Sequence, residues 1–202
     1  MNYGVNFIII KGFILILLVL IAGCNTTEVI EMKVEKATFA GGCFWCIEAA
    51  FEEVEGVISA ISGYSGGSVK NPTYEQVISG KTGHKESVQI IYDPKRISYE
   101  ELLDIFWRSF DPTDSDGQFA DRGPQYTTAI FYHNEEQRKL AEESKTKIQN
   151  HFDKPIVTEI LPYQNFYKAE EYHQDYSKKR NLQYKLYEKG SGRKDFVEEK
   201  WG

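Results

Sequence analysis

Residues 34–54 read Val-Glu-Lys-Ala-Thr-Phe-Ala-Gly-Gly-Cys-Phe-Trp-Cys-Ile-Glu-Ala-Ala-Phe-Glu-Glu-Val, and two periods meet inside them. Val34 to Ala40 alternates and predicts a strand. Phe44, Ile47, Phe51 and Val54 then recur at helical spacing. Gly41-Gly42 breaks the first pattern, and Gly56 suits the stop of the second. A strand therefore turns sharply into a helix, with Cys43 near the helix start.

Working outward, Val57 to Tyr64 is β-branched and predicts a second strand. Gly63, Gly66, Gly67 and Pro72 mark a long loop, and Tyr74 to Ser79 a short helix. Glu86 to Tyr92 alternates again. Ser98 with Glu101 forms a capping box ahead of Leu102, Ile105, Phe106 and Phe110. Asp111 to Tyr126 reads as a loop, and Thr127 to Tyr132 as a fourth strand. Asn134 with Gln137 caps a charged helix to about Asn150, and Ile156 to Leu161 is a fifth strand. Beyond that the chain is aromatic, polar and irregular, with a helix near Glu170 to Lys179. The order β-α-β-β-α-β is the split βαβ, ferredoxin-like pattern. The expected class is thus an α+β sandwich, with helices on one face of a mixed sheet and an irregular C-terminal extension.

A thiol at a helix start faces free N–H groups and the positive end of the helix dipole, so its thiolate is favoured. That makes Cys43 a candidate nucleophile. Three plainer readings compete. A buried structural cysteine prefers apolar helix interior to a Gly-Gly turn. A metal site needs about four ligands, and no second CxxC or His pair supplies them, so no metal and no cofactor are expected. A general dithiol oxidoreductase also uses Cys-x-x-Cys. Downstream, Glu86, Val88, Ile90 and Tyr92 share one face of their strand. A carboxyl at the end of an apolar face is desolvated and keeps its proton; as the first residue of its strand, Glu86 by itself reads rather as solvent-exposed.

The 202 residues suit one domain with tails. Aromatics make up 14% and the net charge is −6, which argues against a nucleic-acid partner, since phosphate binding needs a basic face. No repeat or low-complexity tract is present. Phe7 to Ala22 is apolar apart from Lys11 and ends at Ile21-Ala22-Gly23-Cys24. A short apolar run closed by small residues reads as an export signal, and the run also approaches the length of an uncleaved span. Small residues before Cys24 resemble the lipobox of bacterial lipoproteins. The resemblance implies cleavage before Cys24, lipidation of its thiol and a place in the cell envelope outside the cytoplasm. The expected organisation is a signal over residues 1–23, a tether over 24–33 and one domain over 34–202.

Gly41-Gly42-Cys43-Phe44-Trp45 resembles the signature of the A-class methionine sulfoxide reductases. So do Gly63-Tyr64-Ser65-Gly66-Gly67, Asn71-Pro72-Thr73-Tyr74, Gly83-His84-Lys85-Glu86, Tyr92-Asp93-Pro94, Asp121-Arg122-Gly123-Pro124-Gln125-Tyr126 and Tyr172-His173-Gln174. One such motif is weak; this many in order over roughly residues 37–180 is specific. The resemblance implies reduction of methionine-S-sulfoxide, free and in proteins, as repair. It makes Cys43 the nucleophile, converted to a sulfenic acid, and Glu86 the acid. Tyr74 and Tyr126 hydrogen-bond the sulfoxide oxygen, and Asp121 helps to bind substrate. Phe44 and Trp45 form the pocket for the S-methyl group. His84 and His173 read as structural or supporting.

Many such proteins carry a resolving cysteine near the C-terminus. Here the tail reads Tyr187-Glu188-Lys189-Gly190-Ser191-Gly192-Arg193 and has none. Cys46 is then the partner, as in relatives with a cysteine three residues after the nucleophile; the competing reading has Cys46 as packing and an external thiol as reductant. Expected partners are oxidised methionine in proteins, a thioredoxin-like reductant and a membrane reached through the lipid anchor, with the chain a monomer. A disulfide oxidoreductase and a lipoprotein that binds oxidised methionine without turnover are the competing functions. The first would not need Glu86 or Tyr126.

Overall fold

The structure, a computed structural model, describes residues 33–202. The apolar run, Cys24 and the tether up to Met32 lie outside the described residues. The elements in order are β1 (Glu35–Gly41), α1 (Phe44–Phe51), β2 (Val57–Ser65), α2 (Tyr74–Ile78), β3 (Lys85–Tyr92), α3 (Tyr99–Trp107), β4 (Gly117–Gln118), β5 (Asp121–Arg122), β6 (Thr128–Tyr132), α4 (Glu135–Ile148), β7 (Glu159–Pro162), β8 (Phe166–Lys168), α5 (Tyr176–Lys179), α6 (Asn181–Ser191) and α7 (Arg193–Trp201).

The main sheet runs β7-β6-β1-β3-β2-β8. Its middle, β6-β1-β3-β2, is antiparallel throughout, which is the order the split βαβ pattern requires. β7 adds parallel to β6 and makes the sheet mixed, while β8 adds antiparallel to β2 at the other edge. The mixed α+β class expected from the element order is therefore the observed one.

Alternation along β1 decides what each face buries. Phe39 points to the helices, where its ring stacks on Phe106 at 4.6 Å and on Phe51 at 5.9 Å. Leu102, Leu103, Val88 and Ile90 fill the same core with no exposed surface. Each such side chain contributes about 1.5–3 kcal/mol by leaving water. Ala40 points the other way and packs with Ala129 and Phe131. Ser98 and Glu101 close the capping box on α3 as their spacing predicts. At α4 the Asn134 side chain accepts from Gln137 N, but the Gln137 amide goes to His133 N and Lys36 O instead of back to Asn134.

Two regions differ from the sequence reading. The expected loop over 111–126 contains the β4–β5 hairpin, which pairs Gly117 with Arg122 and Gln118 with Asp121. The C-terminal extension is not irregular: it holds β8, paired with β2, and two helices, α6 and α7, joined at Gly192 with φ 88°. Their pattern is hard to read because so little of them is buried. Tyr184 is the one buried residue of α6 and Arg193 that of α7, while Leu182 and Leu186 are exposed.

Candidate active site

Cys43 is the N-cap of α1, where the expectation put it. The turn before it needs glycine. Gly42 has φ 84°, and a Cβ there would lie 2.5 Å from Gln118 Cβ and 2.9 Å from Arg193 Nη2. The Cys43 carbonyl accepts from Cys46 N at 3.2 Å and Ile47 N at 3.4 Å, so the first turn closes over the cysteine pair. Both thiols are free and buried, and they hydrogen-bond each other.

The electrostatics of the pair differ from the expectation. Burial pushes the Cys43 thiol up, and Cys46 and Glu86 push it further, against a hydrogen bond from Tyr187. Cys46 is held below the usual thiol range by the hydrogen bond from Cys43 and by the Arg193 guanidinium. At Cys43 desolvation outweighs the helix start, and of the two thiols Cys46 is the one more readily deprotonated.

Glu86 is buried, so it is desolvated and not a solvent-exposed strand start. β3 runs beneath α1, and the Glu86 Oε2 accepts from Phe44 N at 3.0 Å, the first free N–H of the helix. Burial raises its pKa to about 8, with that hydrogen bond opposing and Asp121 adding to the rise. The carboxyl thus keeps its proton at neutral pH beside Cys43.

Tyr74 and Tyr126 come from distant segments that the backbone ties together. Thr73 caps α2, Tyr74 N donates to Glu170 Oε1 at 2.9 Å, and Gln125 Nε2 donates to Ile78 O at 3.2 Å. The last bond fastens the 3₁₀ turn Pro124–Tyr126 against α2. The two phenols hydrogen-bond, and burial lifts Tyr74 to about 12 and Tyr126 higher. Both therefore stay protonated and able to donate.

Asp121 sits on the β4–β5 hairpin, which Gln118 anchors through bonds to Asp111 N at 2.9 Å and Asp111 O at 2.7 Å. Its Oδ2 accepts from Tyr187 Oη of α6. Sequence reading missed Tyr187, although it lines the same cleft as Cys43, Phe44, Trp45, Tyr74, Glu86, Asp121 and Tyr126. Its only signal was its place three residues after Tyr184, among many tyrosines. That cleft brings together every proposed site residue of the described part except Cys46, which packs beside Cys43 against Tyr184. Its volume is about 40 Å³, far below the ~300 Å³ of ordinary ligand sites. It suits the end of one side chain.

Trp45 is held from three sides. Tyr176 stacks on it at 3.9 Å and 7°, Tyr187 meets it edge-on at 5.7 Å, and its Nε1 donates to His173 Nδ1 at 3.1 Å. His173 is thus a support of the pocket wall. His84 is structural: its Nδ1 accepts from Gly67 N and its ring meets Tyr167 edge-on.

A coupled thiol pair at a helix start, beside a carboxyl that keeps its proton, is the equipment of a thiol-dependent oxidoreductase. The comparisons make the class particular. The peptide methionine sulfoxide reductase family model matches residues 35–202. A Staphylococcus aureus protein described as peptide methionine sulfoxide reductase MsrA 2 is 56% identical over 173 residues, which cover 85% of this chain and 98% of that one. Mxr1 from Saccharomyces cerevisiae in reduced form superposes with a TM-score of 0.71 at 35% identity, covering 74% of this chain and 87% of that one. The same yeast protein in complex with Trx2 superposes with a TM-score of 0.52 at 28% identity, covering 71% and 85%. This chain belongs to the peptide methionine sulfoxide reductase family.

Proposed function

We propose that this chain reduces methionine-S-sulfoxide, free and in proteins, with Cys43 as nucleophile and Glu86 as acid. The observation that carries the reading is Glu86, buried and still protonated near pH 7, bonded to the N–H that follows Cys43. With Oε2 accepting from Phe44, Oε1 is left to hold the proton for the sulfoxide oxygen. The S-methyl group lies against Phe44 and Trp45, and Tyr74 and Tyr126 donate to the oxygen as it gains charge. Asp121, fixed by Tyr187, orients the substrate chain. A polarised, protonated sulfoxide carries positive charge on sulfur, which draws the Cys43 proton off only when substrate is present. Overall, thiol and sulfoxide become a sulfenic acid and a thioether. Cys46 then attacks the Cys43 sulfur and expels water, leaving a disulfide.

A thioredoxin-type dithiol takes that disulfide, as befits a chain that resembles a yeast protein recorded with Trx2. Turnover of the two separated sulfoxide epimers tests the whole reading. Reduction of the S epimer alone is expected, and equal rates on both would reject it. Mass spectrometry after one equivalent of sulfoxide tests Cys46: a Cys43–Cys46 disulfide, two hydrogens lighter, is expected, and a stable sulfenic acid makes Cys46 a packing residue.

The address is a separate proposal. Phe7 to Ala22 exports the chain, and Cys24 is lipidated after cleavage, so the domain repairs envelope proteins from a membrane anchor. Cys24→Ala is expected to block processing or release the protein. Soluble, unlipidated wild-type protein from its own cells would end this reading.

A further inference from the structure

The two thiols touch, yet they open in different directions. Cys43 lines the substrate cleft with Glu86 and Tyr74. Cys46 does not. It lines a second cavity of about 350 Å³ between α1, the end of α3, α6 and α7, with Ala49, Ser109, Tyr184, Arg193 and Val197 among its walls.

Arg193 supplies an independent sign of what forms beside that cavity. Its side chain is 3% exposed. Nη2 donates to Gly41 O at 3.1 Å and Nη1 to Ser109 O, while Nε has no hydrogen-bond partner among the described residues. Its plane lies over the Phe119 ring at 4.9 Å. A guanidinium taken out of water and bonded only to carbonyls is costly unless an anion joins it. Asp121 draws on the same charge from the β4–β5 hairpin, and Glu188 on α6 repels any anion at Cys46. Tyr184 packs against Cys46 from α6 and donates its hydroxyl to Glu188 Oε1 at 3.1 Å. The Arg193 charge therefore stabilises Cys46 itself as the thiolate released at the end of reset.

Displacement at a disulfide sulfur is in-line, so the attacking sulfur arrives opposite the leaving one. A thiol that expels Cys43 must reach Cys46 from the side away from Cys43. We propose that the cavity behind Cys46 is the port through which a reducing thiolate resets the enzyme. The thiolate bonds to Cys46 Sγ as the Cys43–Cys46 bond breaks, and Cys43 leaves as a thiolate that takes up a proton. The second thiolate of the same dithiol then attacks the reductant's own sulfur. Cys46 leaves as a thiolate beside Arg193, and the reductant departs as its disulfide, two electrons poorer. Substrate and reductant thus use opposite sides of one thiol pair. The inference rests on the reading that Cys43 and Cys46 form a disulfide.

The test uses the full chain oxidised with one equivalent of sulfoxide, the disulfide being verified by mass first. A thioredoxin lacking its second cysteine is then added to trap the mixed disulfide. Trapping on Cys46 is expected, and trapping on Cys43 overturns the port. Val197→Trp, which fills the cavity, is expected to slow loss of the disulfide tenfold or more, whereas Val197→Ala leaves it near the wild-type rate. Slowing with both a thioredoxin and dithiothreitol assigns the port to any thiol; slowing with thioredoxin alone assigns it to a protein donor. Unchanged reduction of the Trp variant by both overturns the port alone. Absence of the disulfide in wild-type protein overturns the Cys46 reading and the port together.

Discussion

The sheet with α1 and the C-terminal stretch from His173 to Trp201 build one site by different means. The first region places Cys43 and Glu86 through a dry core: Phe51 of α1 and Phe39, Leu102 and Phe106 around it have no exposed surface. The second is mostly exposed and holds on through single polar and aromatic contacts. Gln174 clamps both Ser62 N and Ser62 O, Asp175 N donates to Glu48 Oε2 at 3.0 Å, and Tyr176 stacks on Trp45. The difference teaches a division of labour. The core fixes the reacting atoms, and the tail trims their surroundings, with Tyr187 at Asp121 and Arg193 behind Cys46.

The comparison breaks first at its extreme. Cys43→Ser is expected to abolish sulfoxide reduction while the far-ultraviolet circular dichroism stays native, because a hydroxyl is a poor nucleophile at neutral pH. Residual turnover well above background would move the chemistry off the core region.

Next comes the acid. Glu86→Gln keeps the hydrogen bond from Phe44 but supplies no proton, so kcat/KM is expected to fall by about 10²–10⁴. Since the Glu86 pKa is raised to about 8, the wild-type rate should decline as pH rises through 8, and the Gln variant should lose that limb. Stability carries the same sign. The folded form holds protons on Glu86, and on Glu48 with its pKa near 7, that the unfolded chain has released. Their contribution is full below the ordinary carboxyl range and is lost as pH rises through about 7 to 8. Urea midpoints that stay flat between pH 5 and 8 would contradict the burial of both groups.

Tyr187→Phe probes the tail. It deletes the hydroxyl that donates to Asp121 beside Cys43 but keeps the ring against Trp45. A loss of about tenfold in kcat/KM is expected, the size of one hydrogen bond to a charged group. A loss as large as that of Glu86→Gln would mean that the tail, too, fixes reacting atoms.

What was legible in the sequence follows the same division. Phe44, Ile47 and Phe51 repeat because a helix there must bury one stripe, and Glu86 to Tyr92 alternates because β3 lies under it; periodicity reads both. The motif positions also placed Tyr74, Tyr126 and Asp121 in the cleft. Periodicity could not read α6 and α7, whose buried residues are too few to mark a face. Nor could it read the β4–β5 hairpin, two residues a side, where Phe119 takes φ 56° without a glycine to announce it. The thiolate expected on Cys43 was a local inference from the helix start. Burial and the neighbouring Cys46 and Glu86 push that thiol up instead, and these are effects of the whole fold.

The smallest effect is the sharpest comparison, because it sets two equal caps against each other. Thr73 on α2 and Ser98 on α3 each complete a capping box. Replacing either by Ala is expected to cost about 1 kcal/mol of stability, read as a shift in the urea midpoint. Their positions differ. α3 packs into the core through Leu102, Leu103 and Phe106, so its nine residues stay in place when one cap is lost. α2 has five residues and buries only Val77. Besides the cap, it is tied by the Gln125 bond to Ile78 O and by the bond from Tyr74 N to Glu170. Thr73→Ala is therefore expected to loosen Tyr74 and lower kcat/KM a few-fold, whereas Ser98→Ala leaves kcat/KM at the wild-type value. Equal kinetics for the two variants would show that the Glu170 and Gln125 bonds suffice to hold Tyr74, and that even the loop side of the cleft is as firmly placed as the core.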